Sequence, residues 1–178
     1  EAYKYRDKAV ELDPNSANTH YTNAQLAAWA DWDWETAEEE YLKSLELNPN
    51  DALCHMYYSH MLMCLRRFDE AVYQARLGRE LDPENPLVLG LFGVVMFTLG
   101  DYHTAIEHFE KSRSIDSTFD FFVGQLYLSS MYAGDHEKWI PDWKEYSCWD
   151  DTVKTNIEKT FYENGLVPGF EKLLDYND

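Results

Sequence analysis

The sequence predicts an all-α fold built as a solenoid, in which similar helix pairs follow one another along the chain. Apolar side chains recur at helical spacing, and no segment alternates with period two. A short phrase also recurs, as Glu11-Leu12-Asp13-Pro14-Asn15, Glu46-Leu47-Asn48-Pro49-Asn50, Glu80-Leu81-Asp82-Pro83-Glu84 and the degenerate Ser114-Ile115-Asp116-Ser117-Thr118. Its three prolines and Ser117 lie 35, 34 and 34 residues apart, and a fixed period of this length is typical of repeat architectures.

The positions of these phrases predict each helix in turn. A helix over Glu1–Leu12 ends before Pro14, because proline disfavours the helical conformation in the residue that precedes it. Helix pairs are then predicted over Ala17–Ala30 with Trp34–Leu47, Ala52–Leu65 with Phe68–Leu81, and Pro86–Leu99 with Tyr102–Ile115. The turn Asp31-Trp32-Asp33 is expected to contain the one extra residue of the first pair.

Beyond the third pair the pattern becomes degenerate. A fourth first helix is predicted over Phe119–Ala133, and later helices over Thr152–Glu163 and Pro168–Tyr176. The terminal units of a solenoid depart from the repeat pattern because they must seal its apolar edge. Residues Trp139–Asp178 are therefore expected to form a C-terminal cap.

Charge and cysteine content limit the partners and the compartment. The chain has 15 Lys and Arg residues against 33 Asp and Glu residues, a net charge of −18, so we expect it to repel nucleic acid and anionic lipid. No apolar run approaches the ~20 residues that span a membrane. The three cysteines, Cys54, Cys64 and Cys148, are odd in number, and we expect reduced thiols in a cytoplasmic protein. The chain begins at Glu1 with half a repeat, so its native start is expected to lie upstream.

Residues 1 to about 134 resemble the tetratricopeptide repeat (TPR) family. The third unit carries the pattern best, with Leu89, Phe92, Gly93 and Met96 in its first helix and Ala105 and Phe109 in its second. Small residues recur where two helices of a pair approach closely, namely Ala24, Ser59 and Gly93, and Ala37, Ala71 and Ala105. The resemblance implies a right-handed α-α superhelix with a divergent helical cap. It divides the chain into a truncated repeat (1–14), three units (17–50, 52–84, 86–117) and a degenerate repeat with cap (118–178).

The resemblance also implies that the first helices line a concave inner surface. In this sequence the segments Ala17–Ala30, Ala52–Leu65, Pro86–Leu99 and Phe121–Ala133 contain no Asp, Glu, Lys or Arg, whereas the second helices and the turns are acidic. We therefore predict an uncharged groove for a partner helix or apolar peptide, lined by Tyr21, Gln25, Trp29, Leu53, Met56, Tyr57, His60, Met63, Leu87, Leu91, Val94, Phe97, Gln125, Leu128 and Met131. Met and aromatic side chains suit adaptable apolar contacts. Two alternatives are that many of these residues are core, and that an upstream domain of the same protein fills the groove.

Other functions find less support in the residues. One TPR branch clamps an acidic peptide tail with Lys and Asn, but no Lys or Arg is available on these inner helices. His60 and Cys64 lie four residues apart on one helix face, a spacing that could bind a metal ion. The neighbouring His55, however, occupies a packing position that recurs at His20, so we expect no metal site and no cofactor. No phosphate loop or nucleophile elbow is present, and we expect no enzyme activity. The alternative function is a regulatory or sensory segment of a larger signalling protein, such as a transcription regulator or nucleotide cyclase.

Overall fold

The computed structural model describes residues 2–118, 120–146 and 150–165, together with Pro168 and Lys172. Throughout this part of the chain the regular elements are helical, which confirms the predicted all-α class. The helices are α1 (Ala2–Leu12), α2 (Ala17–Leu26), α3 (Trp34–Leu47), α4 (Ala52–Cys64), α5 (Phe68–Leu81), α6 (Pro86–Thr98), α7 (Tyr102–Ile115), α8 (Val123–Tyr132), α9 (His136–Tyr146) and α10 (Asp151–Asn164). A π-helical turn, Ala27–Asp31, continues α2, and a 3₁₀ turn, Asp120–Phe122, precedes α8. None of the described helices is long and apolar enough to cross a membrane.

The helices pack as consecutive pairs, and the small residues allow the two members of a pair to approach. The most extensive contacts join α2 with α3, α4 with α5, and α6 with α7, while α2, α4, α6 and α8 are the first helices of successive units. The buried Ser59 hydroxyl donates to the Ala71 carbonyl oxygen at 2.7 Å. At Gly93 an added Cβ would lie only 2.7 Å from the Phe109 ring. These contacts confirm the role predicted for the small positions.

A second set of small residues holds the far end of each pair together. The hydroxyl of Ser44 donates to the carbonyl oxygen of Ala17 at 2.9 Å, and that of Ser112 donates to the carbonyl oxygen of Pro86 at 2.7 Å. The equivalent residue of the middle unit is Gly78, where a Cβ would lie 2.8 Å from the Ala52 carbonyl oxygen. Each second helix therefore contacts the first residue of its own first helix at this point.

The extra residue of the first unit lies in a helix, and its predicted place in the turn is wrong. The residues with positive φ that end the first helices are Trp32, Arg66, Gly100 and Gly134, all 34 residues apart. The additional residue must therefore lie before Trp32. It is accommodated by the π-helical turn, where the Asp33 amide donates to the Ala27 carbonyl oxygen at 2.8 Å. The helix accepts the insertion by widening one turn, and the left-handed residue keeps its place.

The last two described helices form a separate apolar cluster. Trp139, Ile140, Ile157 and Phe161 are fully buried, and Met131 of α8 packs with them. The Trp139 and Phe161 rings meet edge to face, with centroids 4.6 Å apart. The helix predicted over Thr152–Glu163 is found at Asp151–Asn164, whereas most of Pro168–Tyr176 lies outside the described residues.

Candidate partner-binding groove

The predicted groove lies on α2, α4, α6 and α8 together with the π-helical turn. Most of its fifteen residues are half-buried, which leaves part of each side chain accessible. Trp29 and Leu128 are the most open of them, at 37% and 38% exposure. The half-buried members are Tyr21, Gln25, Leu53, Tyr57, His60, Met63, Leu87, Val94, Phe97 and Gln125. We call this set of partly accessible side chains, with Trp29 and Leu128, the groove.

Three of the predicted residues are packed in the core and present almost no surface to a partner. Met56 is 0% exposed and fills the space beside Gly78 of α5, where an added Cβ would lie 3.1 Å from its Cγ. Leu91 is 5% exposed in the core between the middle units, and Met131 is 7% exposed against the Trp139 cluster. Helical periodicity places a residue on a face, but it does not show how deeply the neighbouring helix covers it.

A pocket opens in the groove between the first, second and third units. Its volume is about 380 Å³. It is lined by Trp29, His60, Met63, Cys64, Val94, Val95 and Thr98. The sequence prediction included four of these and missed Cys64, Val95 and Thr98. The repeat could have indicated two of them, because Cys64 and Thr98 occupy equivalent positions 34 residues apart and directly follow the predicted Met63 and Phe97.

His60 gives the pocket a polar but uncharged wall. Its Nε2 lies 3.0 Å from the Leu91 carbonyl oxygen, so the neutral ring donates a hydrogen bond from α4 to α6. Burial lowers the pKa of His60, since an imidazolium would lose its hydration there. The groove therefore carries no formal charge at neutral pH.

Aromatic rings extend the groove at both of its ends. In the first unit the Trp29 and Trp34 rings lie 6.1 Å apart, and Trp32, 66% exposed, lies 5.4 Å from Trp34. Towards α8, the Tyr132 ring stacks on Tyr102 with centroids 5.3 Å apart. Both ends thus offer apolar surface with a polar N–H or O–H at its edge.

Tyr21 and Gln25 contribute polar atoms near the first of these ends. The Tyr21 ring packs 6.2 Å from Tyr57, and burial raises the pKa of Tyr21, which keeps its hydroxyl protonated. The buried Nε2 of Gln25 has no hydrogen-bond acceptor among the described residues. Neither side chain adds charge to the groove.

The histidine and cysteine residues of the metal alternative have structural contacts. His55 is hydrogen-bonded to Gln74 Oε1 at 2.6 Å and to the Pro49 carbonyl oxygen at 3.0 Å. Burial raises the pKa of the Cys54 thiol to about 12, whereas Cys64 is exposed. In the described ranges no three His, Cys, Asp or Glu side chains are grouped to hold a metal ion.

Sequence comparison finds relatives that match part of this chain. No family model matches the chain. It is 32% identical over 111 residues to the human protein SGT1 homolog, covering 61% of this chain and 30% of that protein. It is also 32% identical over 112 residues to the type IV pilus assembly protein PilF of Pseudomonas aeruginosa, covering 61% and 44%. A small glutamine-rich tetratricopeptide repeat-containing protein of Mycosarcoma maydis is 27% identical over 84 residues, covering 47% and 24%. The chain spans less than half the length of these relatives.

Solved structures extend the likeness over more of the chain. PilF of Pseudomonas aeruginosa superposes with a TM-score of 0.68 at 20% identity, covering 96% of this chain and 79% of that one. A MamA protein gives 0.64 at 17% identity, covering 89% and 90%. The TPR2B domain of yeast Sti1, solved in complex with pHsp70, gives 0.56 at 20% identity, covering 64% and 94%. At these identities the likeness is one of fold.

Proposed function

We propose that this chain is a protein-binding scaffold that holds a partner helix or apolar peptide in its groove. The support is that tetratricopeptide-repeat proteins are its homologues and structural neighbours. The partner is a protein or peptide, and neither nucleic acid nor membrane is expected at a surface of this charge. The groove acts by binding alone, without cofactor or catalysis.

The pocket between the π-helical turn, α4 and α6 carries this proposal. Its volume of about 380 Å³ falls within the ~300–1,000 Å³ range of ligand pockets, and its lining is mainly apolar. A single large apolar side chain of a partner can enter it. Burial of such a side chain contributes about 1.5–3 kcal/mol. Three or four of them along the groove would contribute roughly 5–10 kcal/mol before the cost of association.

An acidic peptide tail is a poor fit to the same surface. A carboxylate is held by charged donors, yet the segments 17–30, 52–65, 86–99 and 121–133 contain no Lys or Arg. His60 supplies only a neutral ring whose Nε2 is already engaged by Leu91. We therefore propose a partner that docks through apolar side chains.

Two exposed threonines provide a matched test of the groove. Thr98 lines the pocket, and its hydroxyl donates to the carbonyl oxygen four residues earlier at 2.8 Å; Thr155 on α10 makes the same local hydrogen bond at 2.8 Å away from the groove. We expect Thr98→Arg to reduce the recovery of bound partners from a lysate at least fivefold, and Thr155→Arg to leave it unchanged. Circular dichroism melts establish that both variants fold. Equal recovery by Thr98→Arg and wild type would refute binding in the groove.

The C-terminal cap, the unit boundaries and the cellular compartment are proposals as well. We propose that the predicted C-terminal cap, whose described part includes α9 and α10, seals the C-terminal edge, supported by the buried Trp139 cluster. We also keep the unit boundaries proposed from the sequence, and a cytoplasmic setting. The alternative function, a regulatory segment acting on its own effector domain, stays a prediction, since the relatives described above are not named as regulators or cyclases.

A further inference from the structure

The charges at the ends of the first helices indicate which partner the groove accepts. The turns that precede these helices form one rim, made of residues 13–16, 48–51, 82–85 and 116–118. The turns that follow them form the other, made of residues 31–33, 65–67, 99–101 and 133–135. A segment that lies across α2, α4, α6 and α8 passes between these two rims.

Both rims are acidic. They carry nine carboxylates, on Asp13, Asp31, Asp33, Asp51, Asp82, Glu84, Asp101, Asp116 and Asp135, and the basic residues within them are Arg66 and Arg67. Arg67 is already paired, with Glu38 at 2.7 Å and with Glu70 at 2.6 Å. Arg66 is exposed and has no carboxylate partner among the described residues. One available cation therefore faces a large excess of negative charge.

Most of the rim carboxylates also have no cation beside them. Glu84 pairs with Lys111 at 2.8 Å, and Asp135 lies 4.0 Å from Lys138. The other seven form no ion pair within the part of the chain that the structure describes, and none of the nine is buried. Self-repulsion of this kind is unfavourable in the free protein, and a cationic partner relieves it.

Helix capping explains where three of these residues lie, and the N-terminal end of a helix also favours their negative charge. Asp33, Asp51 and Asp101 each accept an amide hydrogen bond at the start of a helix. Ser16 and Asn85 do the same work without charge. Hydrogen bonds from Thr36 and Thr104 hold the pKa values of Asp33 and Asp101 below the ordinary range, so both remain ionised. The floor between the rims is uncharged.

We propose that the partner is an amphipathic segment with an apolar face in the groove and Lys or Arg residues on both flanks of that face. This rests on the proposed function, since it names the partner class of the same groove. The apolar side chains enter the groove and its pocket, and the cations face the rim aspartates. Fewer cations are expected opposite Arg66, at the C-terminal end of α4.

Two synthetic helical peptides of equal length test the partner class. They share one leucine-rich face and carry either lysines or glutamates on both flanks of it. Affinities for the whole chain are measured by calorimetry at low and at physiological salt. We expect the lysine peptide to bind at least tenfold more tightly than the glutamate peptide, and the difference to shrink as salt screens the rims.

Two triple variants distinguish the effect of the rim carboxylates on binding from the effect of the net charge of the chain. Asp33→Asn, Asp51→Asn and Asp101→Asn together remove three rim charges and keep the capping oxygens. Glu39→Gln, Glu80→Gln and Glu107→Gln remove three exposed carboxylates, which form no ion pair among the described residues, from the second helices. We expect the rim triple to weaken lysine-peptide binding about tenfold and the outer triple less than twofold.

Each other outcome overturns a stated claim. If both triples weaken binding equally, or if neither peptide binds, the basic-flanked partner is wrong. If both peptides bind equally and Thr98→Arg weakens both, the partner class is wrong while the groove function stands. If the lysine peptide binds but Thr98→Arg has no effect on it, the groove itself is not the site, and the proposed function fails with the inference.

Discussion

Gly90 of α6 is the position where the structure makes its sharpest prediction about stability. A Cβ at this residue would lie 1.8 Å from the Phe122 Cε2, 2.0 Å from its Cδ2 and 2.6 Å from its Cζ. The Phe122 ring is buried and stacks on Phe109, with centroids 5.7 Å apart. Gly90→Ala therefore forces this ring away from the place where the 3₁₀ turn before α8 meets α6.

The size of the effect follows from what the ring would lose. Removal of a phenylalanine ring from the core costs about 1.5–3 kcal/mol, and loss of an aromatic stack adds ~0.5–1.5 kcal/mol. Replacement of a helical glycine by alanine returns about 1 kcal/mol through helix propensity. We expect a net loss of about 1–3 kcal/mol, which lowers Tm by roughly 2–10 °C for a chain of this length.

Gly124 of α8 supplies the matched control, because no atom lies within 4 Å of its added Cβ. Gly124→Ala should leave Tm unchanged or raise it by about 1–3 °C. Thermal melts followed by circular dichroism, with urea titrations for the free energy of unfolding, compare the two variants. If Gly90→Ala is as stable as Gly124→Ala, Phe122 does not pack against α6 as described, and the contact between α6 and the 3₁₀ turn before α8 is wrong.

Three further predictions concern single contacts described above. Glu38 accepts hydrogen bonds from the Tyr58 hydroxyl and from Arg67, so Glu38→Gln should lower the free energy of unfolding by about 1 kcal/mol, and by less at high salt. Glu39→Gln should leave the free energy of unfolding almost unchanged. If urea titrations find an equal loss for both variants, Glu38 does not link the first two units. The pKa of His60 is lower in the folded than in the unfolded chain, so its contribution to stability is present above about pH 6.5 and is lost as the pH falls. The stability of wild type relative to His60→Asn should therefore shrink by up to about 1–2 kcal/mol between about pH 7.5 and about pH 5, and a constant difference would show that the folded protein does not lower the pKa of His60. In a Cys148→Ser background, native alkylation followed by mass spectrometry should label Cys64 at least tenfold faster than Cys54, and equal rates would contradict the burial of Cys54.

The repeat and its small residues could be predicted from the sequence because both are local and periodic. Proline ends the helix that precedes it wherever it stands, and Ala, Ser or Gly at a crossing point is required by the distance between two backbones. The depth of burial could not be predicted in this way. Met56 and Met63 look alike in the pattern, yet only Met56 meets Gly78, a residue on another helix.

The place of the extra residue was predictable in principle. Trp34, Phe68 and Tyr102 are 34 residues apart, whereas Ala24 and Ser59 are 35 apart, so the insertion lies between residues 24 and 34. Within that interval the extra residue could lengthen the turn or widen the helix. The Asp33-to-Ala27 hydrogen bond shows that it widens the helix, and the types of residue in the segment do not reveal that bond. The pocket residues Cys64 and Thr98 were missed because they look like ordinary small polar residues near helix ends.

The π-helical turn has a consequence for how a stacked protein of this kind can diversify. An α-helix that gained one residue would rotate everything beyond it by about 100° and would spoil the docking of the next helix. Here the widened turn absorbs the additional residue before Trp32, and α3 starts with its capping residue in place. The widened turn contains Trp29, which lines the pocket, while the later units keep their 34-residue register. One unit can therefore alter what it presents to a ligand independently of the joints that hold the stack together.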